Sequence, residues 1–178
     1  VSATTQGTPP PPPVSTSTPI YTDSLISPWG SAVYGGTFDF ANTERVYSGT
    51  QAIKASTTAW GNVSLQSWSN PQNLSAYSAL DFWIYTNSSF VLYSALEQTG
   101  GYFAFSPAPT ISANQWNHIV LPLSSFSLPA GFLANRIDLM SDRGAVWWVD
   151  DIRWTSGTST STPDTISPTV SLTAPANG

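Results

Sequence analysis

The sequence predicts an all-β fold, an antiparallel β-sandwich whose simplest form is a jelly roll. Short runs rich in aromatic and β-branched residues alternate with Gly, Asn, Ser and Pro, which favour turns. No stretch longer than a turn or two has the periodicity of an amphipathic helix. The strand-rich region lies between two tracts of different composition, so we expect one globular domain.

Eleven segments meet the criteria for strands. Turn formers such as Gly35-Gly36, Asn87-Ser88 and Gly100-Gly101 separate them. The predicted strands are 20–25, 31–34, 37–40, 51–57, 62–68, 79–86, 90–98, 102–105, 116–121, 136–141 and 146–154. Short strands without intervening helices are typical of an antiparallel sandwich.

The two ends predict spacers between modules. Residues 1–19 contain five consecutive prolines, and residues 155–168 are mostly Ser and Thr with Pro. Such tracts bury little apolar surface and form extended, semi-stiff linkers. We therefore assign residues 20–154 to the β-sandwich. Residues 169–178 resemble the first strand of a bacterial immunoglobulin-like domain, so we expect the chain to be a piece of a longer protein.

The composition excludes several classes of partner. With a net charge of -5 and five Lys and Arg in 178 residues, the chain has no basic patch for nucleic acid or for anionic lipid. No apolar run is long enough to cross a membrane. The absence of Cys excludes disulfides and thiolate metal sites and is compatible with a secreted bacterial protein. Low charge with many Ser, Thr and Asn favours an extracellular location, and we expect a monomer.

Abundant aromatic residues in a weakly charged β domain indicate sugar recognition. The chain contains eight Trp, seven Tyr and eight Phe, and only 8% of its residues are charged. Rings bury a large area at a low cost in entropy, and the apolar faces of pyranose sugars stack on them. The alternative is a Trp-rich core, since large apolar side chains are mostly buried.

Alternation along a strand separates inward from outward residues. In the segments 63–68, 80–85 and 91–97, apolar residues occupy one face, while rings and polar groups occupy the other. The predicted inward residues are Val63, Leu65, Leu80, Phe82, Ile84, Leu92 and Leu96. The predicted outward residues are Gln66, Trp68, Asp81, Trp83, Tyr85, Tyr93 and Glu97.

Three more rings are candidates for the same surface. Trp60 and Tyr102 lie at strand ends beside Gly, where a ring can stand free. Trp147 has the opposite parity to Trp148 and Ile152, so it either joins the outward set or caps the sandwich. The predicted carbohydrate-binding residues are Trp60, Gln66, Trp68, Trp83, Tyr85, Tyr93, Glu97, Tyr102 and Trp147. The alternative is that these rings pack under loops or against the edge of the second sheet.

Two adjacent carboxylates in an apolar strand predict a metal site. Asp150 and Asp151 lie among Trp148, Val149 and Ile152, and burying carboxylates without a partner is costly. A hard cation, Ca²⁺, would compensate them, with backbone carbonyls from the loop 47–50 around Gly49 and a carboxylate from Asp23 as further ligands. The alternative is that Asp150 and Asp151 accept hydrogen bonds from backbone NH groups or pair with Arg153 or Arg45.

Six segments form an ordered set along the chain: Ile20-Tyr21-Thr22-Asp23-Ser24-Leu25, Tyr47-Ser48-Gly49-Thr50-Gln51-Ala52-Ile53, Ala59-Trp60-Gly61, Leu80-Asp81-Phe82-Trp83-Ile84, Trp116-Asn117-His118-Ile119-Val120-Leu121-Pro122-Leu123 and Val149-Asp150-Asp151-Ile152. Together they resemble the β-sandwich carbohydrate-binding modules of bacterial glycoside hydrolases. The resemblance implies a jelly roll, a structural calcium near the first and last strands, and a glycan site on the concave face or at the loop tips. It also implies that Asp150, rather than Asp151, is the metal ligand of the last strand.

We therefore expect a non-catalytic module that holds a linked glycoside hydrolase on plant polysaccharide. Few cations argue against uronate polymers, so β-glucan or cellulose comes first, followed by mannan or xylan. One alternative is a structural or adhesive spacer domain whose rings are covered. Another is a small jelly-roll glycosidase or lyase, with Glu97 as one of two facing carboxylates. His118, the sole His, lies in an ordinary strand pattern without a nucleophile motif.

Overall fold

The computed structural model describes residues 16–106 and 108–156, without the side chains of Tyr102 and Phe103. These ranges contain eleven strands and two short 3₁₀ helices, Leu74–Ala76 and Leu123–Phe126. The strands are β1 (Ser17–Tyr21), β2 (Gly30–Asn42), β3 (Ala52–Gln66), β4 (Gln72–Asn73), β5 (Ala79–Thr86), β6 (Phe90–Gln98), β7 (Tyr102–Ser106), β8 (Thr110–Ile111), β9 (Trp116–Pro122), β10 (Leu133–Ser141) and β11 (Ala145–Thr155). No described helix is long and apolar enough to cross a membrane.

The strands form two layers that share β2 and β3. The first half of β3 pairs with β11, which continues through β5 to the edge strand β9, and β1 pairs with the end of β11. We call this layer the β5 sheet. The second half of β3 pairs with β10, which continues through β6 to β7, and we call this layer the β6 sheet. All of these pairings are antiparallel, as predicted.

The β2 and β3 ribbon bends where it passes from one layer to the other. Gly35 and Trp60 both have left-handed backbone conformations, with φ of 66°. A side chain on Gly61 would overlap the backbone carbonyl of Gly35, so glycine permits this close approach. The glycines therefore bend two long strands. The prediction of four shorter strands over 31–68 was wrong, because it interpreted Gly35-Gly36 as a turn and ended a strand before the bend at Trp60 and Gly61.

The core lies between the two layers. Its members are apolar side chains from the inner faces of both sheets, and the largest fully buried ones include Trp147, Trp154, Tyr21, Phe82, Phe90 and Phe126. All seven residues predicted to face inward by alternation are fully buried. The alternation within β3, β5 and β6 therefore predicts their inner faces correctly.

The described residues include all of the predicted β-sandwich except Pro107, together with a few residues of each predicted spacer. β1 begins at Ser17, inside the predicted spacer 1–19, and pairs with β11 as far as Thr155. Residues 1–15 of that spacer, most of the spacer 155–168 and the segment 169–178 lie outside the described residues.

Candidate functional site

The outward face of the β6 sheet combines rings with polar groups. Cross-strand pairing aligns Gln66, Arg136 and Glu97 in one row, and Asn62, Met140 and Tyr93 in another. A row containing Ser64, Asp138 and Ala95 lies between them. We call this surface the β6 face. Three of the predicted binding residues, Gln66, Tyr93 and Glu97, therefore lie on one surface.

A buried ionic network occupies the centre of the β6 face. The guanidinium of Arg136 donates from NH1 to Glu97 Oε2 at 3.1 Å and from Nε to Asp138 Oδ1 at 2.9 Å. Glu97 and Asp138 are 8% and 4% exposed, respectively. Burial alone would lower the pKa of Arg136, but the hydrogen bond and charge of Asp138 and the charge of Glu97 outweigh it, so the pKa is raised. The network presents a fixed set of charged donors and acceptors.

Exposed rings surround this network. Tyr34 lies on β2, with its ring 5.0 Å from the Arg136 guanidinium carbon. Trp60 packs against Tyr93, with ring centroids 5.1 Å apart. The four most exposed rings around the face are 47% to 59% exposed: Tyr34, Trp60, Trp68 and Phe105. Large rings with this exposure are available to stack on a ligand.

The polar side chains of β3 lie between two of these rings. Trp60 and Trp68 are eight residues apart, at most about 26 Å for a fully extended chain at roughly 3.3 Å per residue. Asn62, Ser64 and Gln66 point outward between them, next to the row of β10 that carries Arg136. Such a surface can stack on the apolar faces of several sugars, and the Arg136 network beside it can exchange hydrogen bonds with their hydroxyls. It is an open face and not an enclosed cavity.

Two predicted binding residues lie on the opposite side of the molecule. Trp83 and Tyr85 face outward from the β5 sheet, as their parity indicated, but that sheet is the other layer. The ring of Tyr47 stacks on Trp83 with centroids 3.9 Å apart, and the Arg45 guanidinium lies 4.2 Å from the centroid of Tyr85. These rings are thus covered by the loop before β3, which was the alternative weighed for them.

Trp147 is a core residue, and its assignment to the binding surface was wrong. It is fully buried, packs against Phe90 and donates from Nε1 to Thr57 Oγ1 at 3.2 Å. The error arises from a β-bulge between Asp150 and Arg153, where Asp151 has φ of 51°. The bulge reverses parity, so counting back from Ile152 assigns the wrong face. The side chain of Tyr102 lies outside the described residues.

Sequence reasoning missed several residues of the β6 face. Arg136 and Asp138 flank the inward residues Ile137 and Leu139, so alternation within β10 would have identified them as outward. Tyr34 and Phe105 lie on strands that are glycine-rich or short, where no apolar stripe fixes parity. The sequence pattern therefore indicates the outward position of these two rings less clearly than it does that of Arg136 and Asp138.

The four predicted metal-site residues meet at one loop, residues 47–51. Asp23 Oδ1 accepts hydrogen bonds from the NH groups of Thr50 and Gln51 at 2.6 and 2.8 Å. A side chain on Gly49, whose φ is 69°, would overlap the Asp23 carboxylate. The first strand region and the loop are therefore in direct contact.

The last strand holds the same loop from its other side. Asp150 Oδ2 accepts from the NH groups of Tyr47 and Ser48 at 2.9 and 3.2 Å, and Oδ1 accepts from the NH of Asp151 at 2.8 Å. The Ser48 hydroxyl donates to Asp151 Oδ2 at 2.9 Å. Backbone NH groups compensate these carboxylates, which was the alternative to a metal. Among the described residues, no group of three or more His, Cys, Asp or Glu side chains is arranged to hold a metal ion.

The pKa values of the two carboxylates that hold the loop are shifted in opposite directions. Burial raises the pKa of Asp150, although three backbone hydrogen bonds oppose the effect. The hydrogen bonds from Thr50 and Gln51 lower the pKa of Asp23, which is more exposed. The loop is therefore bound to one carboxylate that is costly to ionise and to one that is stabilised as an anion.

No family model and no curated protein matches the sequence significantly. Solved carbohydrate-binding modules of family 29 are similar in structure. One substitution mutant is 18% identical, with a TM-score of 0.59, and covers 86% of this chain and 100% of its own. The fold is that of the family 29 modules. This similarity confirms the predicted antiparallel sandwich.

Two further structures of such modules contain sugars. A mutant complexed with mannohexaose is 17% identical, with a TM-score of 0.59, over 81% of this chain and 94% of its own. A mutant complexed with cellulohexaose is 18% identical, with a TM-score of 0.56, over 80% of this chain and 92% of its own.

Proposed function

We propose that this protein is a non-catalytic carbohydrate-binding module that binds neutral polysaccharide on the β6 face. The observation that carries the proposal is the set of exposed rings around the network of Arg136, Glu97 and Asp138 on one sheet surface. Rings supply stacking and the network supplies hydrogen bonds, which are the two requirements of a glycan site.

Neutral polymers fit this face better than acidic ones. Its central cation, Arg136, is already paired with two carboxylates, so a uronate would approach a region of net negative charge. β-Glucan and cellulose are the first ligands to test, followed by mannan and xylan. The solved complexes of two structural neighbours with mannohexaose and cellulohexaose support this choice.

The rival functions fit the described surface less well. A spacer domain requires covered rings, but Trp68 is 49% exposed and Trp60 58%. A glycosidase requires two carboxylates available across a cleft, whereas Glu97 and Asp138 both accept hydrogen bonds from Arg136. Binding without bond cleavage is the simpler use of this surface.

The biological role that we propose is targeting. The proline-rich tract before β1 and the Ser- and Thr-rich tract after β11 have the composition of linkers between modules. An attached glycoside hydrolase would be concentrated on its insoluble substrate by such a module, in a protein secreted by a bacterium.

We also propose that the loop 47–51 binds a structural calcium ion. Its support is that Asp23, Asp150 and Asp151 all contact this loop. Because their three carboxylates are not grouped around one point, backbone carbonyls of the loop would have to supply further ligands. Asp23 Oδ1 and Asp150 Oδ2 each accept two NH groups, so Asp23 Oδ2, Asp150 Oδ1 and the Asp151 carboxylate are the oxygens with remaining acceptor capacity. Calcium would neutralise the charge on these carboxylates and hold the first and last strands against the loop.

Affinity electrophoresis tests the main proposal. The protein is run in native gels containing barley β-glucan, glucomannan, xylan, polygalacturonate or no polymer, with a parallel pull-down on microcrystalline cellulose. We expect a neutral β-linked polymer to retard migration and polygalacturonate not to. Free migration in every gel and no cellulose binding would contradict the proposal.

A further inference from the structure

The indole of Trp68 is hydrogen-bonded to Gln66, a residue that the sequence analysis predicted to bind sugar. Its Nε1 donates to Gln66 Oε1 at 2.8 Å, and Gln66 Nε2 donates to Ser64 Oγ at 3.2 Å. Ser64 is fully buried within β3, so its hydroxyl is a fixed anchor. Both ends of the Gln66 amide are thus bonded within the protein.

Among the described residues, the bond to Gln66 is the hydrogen bond that holds the Trp68 side chain. Trp68 follows Ser67 in a turn that is closed by the hydrogen bond from Asn70 NH to the Ser67 carbonyl at 3.2 Å. Among the described residues, no aromatic ring packs against Trp68, whereas Trp60 packs against Tyr93. Without its bond to Gln66, a half-exposed indole on a turn would sample several rotamers.

We propose that Gln66 is a positioning residue, which fixes the plane of the Trp68 ring through the chain of bonds from Trp68 to Gln66 to Ser64. This inference rests on the proposed sugar-binding role of the β6 face. A ring held in its binding orientation loses less rotamer freedom when the ligand stacks on it. Gln66 then contributes to affinity through Trp68 and not through sugar hydroxyls.

A double-mutant cycle separates the two roles. Gln66→Met removes the amide at similar length, and Trp68→Phe keeps a ring but removes the indole NH. Affinity for cellohexaose and mannohexaose is measured by calorimetry for the wild type, both single variants and the double variant. We expect Gln66→Met alone to weaken binding about three- to tenfold, the worth of one hydrogen bond, and to have no further effect on Trp68→Phe. An equal loss in both backgrounds would show that Gln66 binds sugar itself and would overturn the inference.

An NMR readout without sugar tests the geometry independently. In ¹⁵N spectra, we expect Gln66→Met to shift the Trp68 indole NH resonance, and the Trp60 indole resonance to stay in place as an internal control. An unmoved Trp68 resonance would overturn the inference even if sugar binds. A shifted Trp68 resonance in a protein that binds neither oligosaccharide would instead overturn the proposed function and leave the Gln66 to Trp68 contact established.

Discussion

Trp68 and Trp147 show how differently one residue type is used in this sandwich. Trp68 stands on a turn at the rim of the β6 face and is 49% exposed, whereas Trp147 is fully buried between the sheets. Trp68 contacts the polar side chain of Gln66, while Trp147 packs against Phe90. Substituting each one should therefore affect a different property.

We expect Trp68→Ala to reduce polysaccharide affinity by about thirtyfold or more, as for a binding hot spot, while changing the free energy of unfolding by no more than about 0.5 kcal/mol. Trp147→Ala is the matched control and should cost about 3–5 kcal/mol, because it leaves a cavity in the core. Urea unfolding and affinity electrophoresis of both variants provide the check. Equal destabilisation by the two substitutions would place Trp68 in the core.

The pH dependence of stability distinguishes the two carboxylates at the loop 47–51. The raised pKa of Asp150 means that its ionisation costs more in the folded state, so its contribution to stability falls as pH rises from the ordinary Asp value through the raised one. The lowered pKa of Asp23 has the opposite effect, and its contribution is lost as pH falls below the ordinary value.

In the Asp150→Asn variant, we expect the free energy of unfolding to fall less than in the wild type as pH rises above the ordinary Asp pKa. In the Asp23→Asn variant, we expect it to fall less than in the wild type as pH decreases below that value. The measurement is the free energy of unfolding in urea between pH 3 and 7, with chelator present throughout. Wild-type pH dependence in both variants would mean that neither carboxylate is coupled to folding in the way its contacts indicate.

At the scale of elements, the loop 47–51 connects the first and last strands. Its NH groups bond to Asp23 and Asp150, and Tyr47 from the same loop stacks on Trp83 of β5. Gly49 lies against the Asp23 carboxylate with φ of 69°. The loop therefore depends on a glycine for two reasons, its backbone conformation and the space beside it.

Two glycine substitutions separate these reasons. Gly131 has a similar φ of 73°, but a side chain there would meet nothing within 4 Å. We expect Gly131→Ala to cost about 1–2 kcal/mol, the cost of the left-handed conformation alone, and Gly49→Ala to cost measurably more because it also displaces Asp23. Thermal and urea unfolding measure the difference. Equal costs would show that the contact with Asp23 contributes nothing to stability.

The regularity of each strand decided whether its inward and outward faces could be predicted from the sequence. Alternation predicted the inner faces of β5 and β6 because each carries an unbroken apolar stripe, such as Leu80, Phe82 and Ile84. It failed in β11 because a bulge at Asp151 reverses parity without a mark in the apolar pattern. The interpretation of glycines as turns also failed at Gly35-Gly36, where glycine lets two paired strands approach closely and does not form a turn.

At the scale of the molecule, the two layers present different outer faces. Alternation identified Trp68 and Trp83 as outward, but it contains no information on which layer each strand joins. Only the pairing of β3 with β10 places Gln66 beside Arg136 and Glu97. Long-range pairing of this kind is set by the whole fold, so the site could be predicted only in part.

Calcium removal is a test of the whole molecule, because the proposed ion joins its first and last strands. We expect added Ca²⁺ to raise the melting temperature relative to chelated protein, through binding to the folded state alone. Asp23→Asn should reduce that rise, and Asp142→Asn, at the turn between β10 and β11, is a control that should keep it. The same melting temperature with Ca²⁺ and with chelator would mean that backbone NH groups alone compensate these carboxylates.

The central claim is that the β6 face binds neutral polysaccharide. The most direct test is calorimetric titration of cellohexaose and mannohexaose into the wild type, a Trp60→Ala/Trp68→Ala variant and a Tyr47→Ala variant. Tyr47 is the matched control, since it is an exposed ring on the opposite layer. We expect the wild type and Tyr47→Ala to bind with similar affinity and the double variant to show no heat of binding. Binding retained by the double variant and lost by Tyr47→Ala would contradict the account.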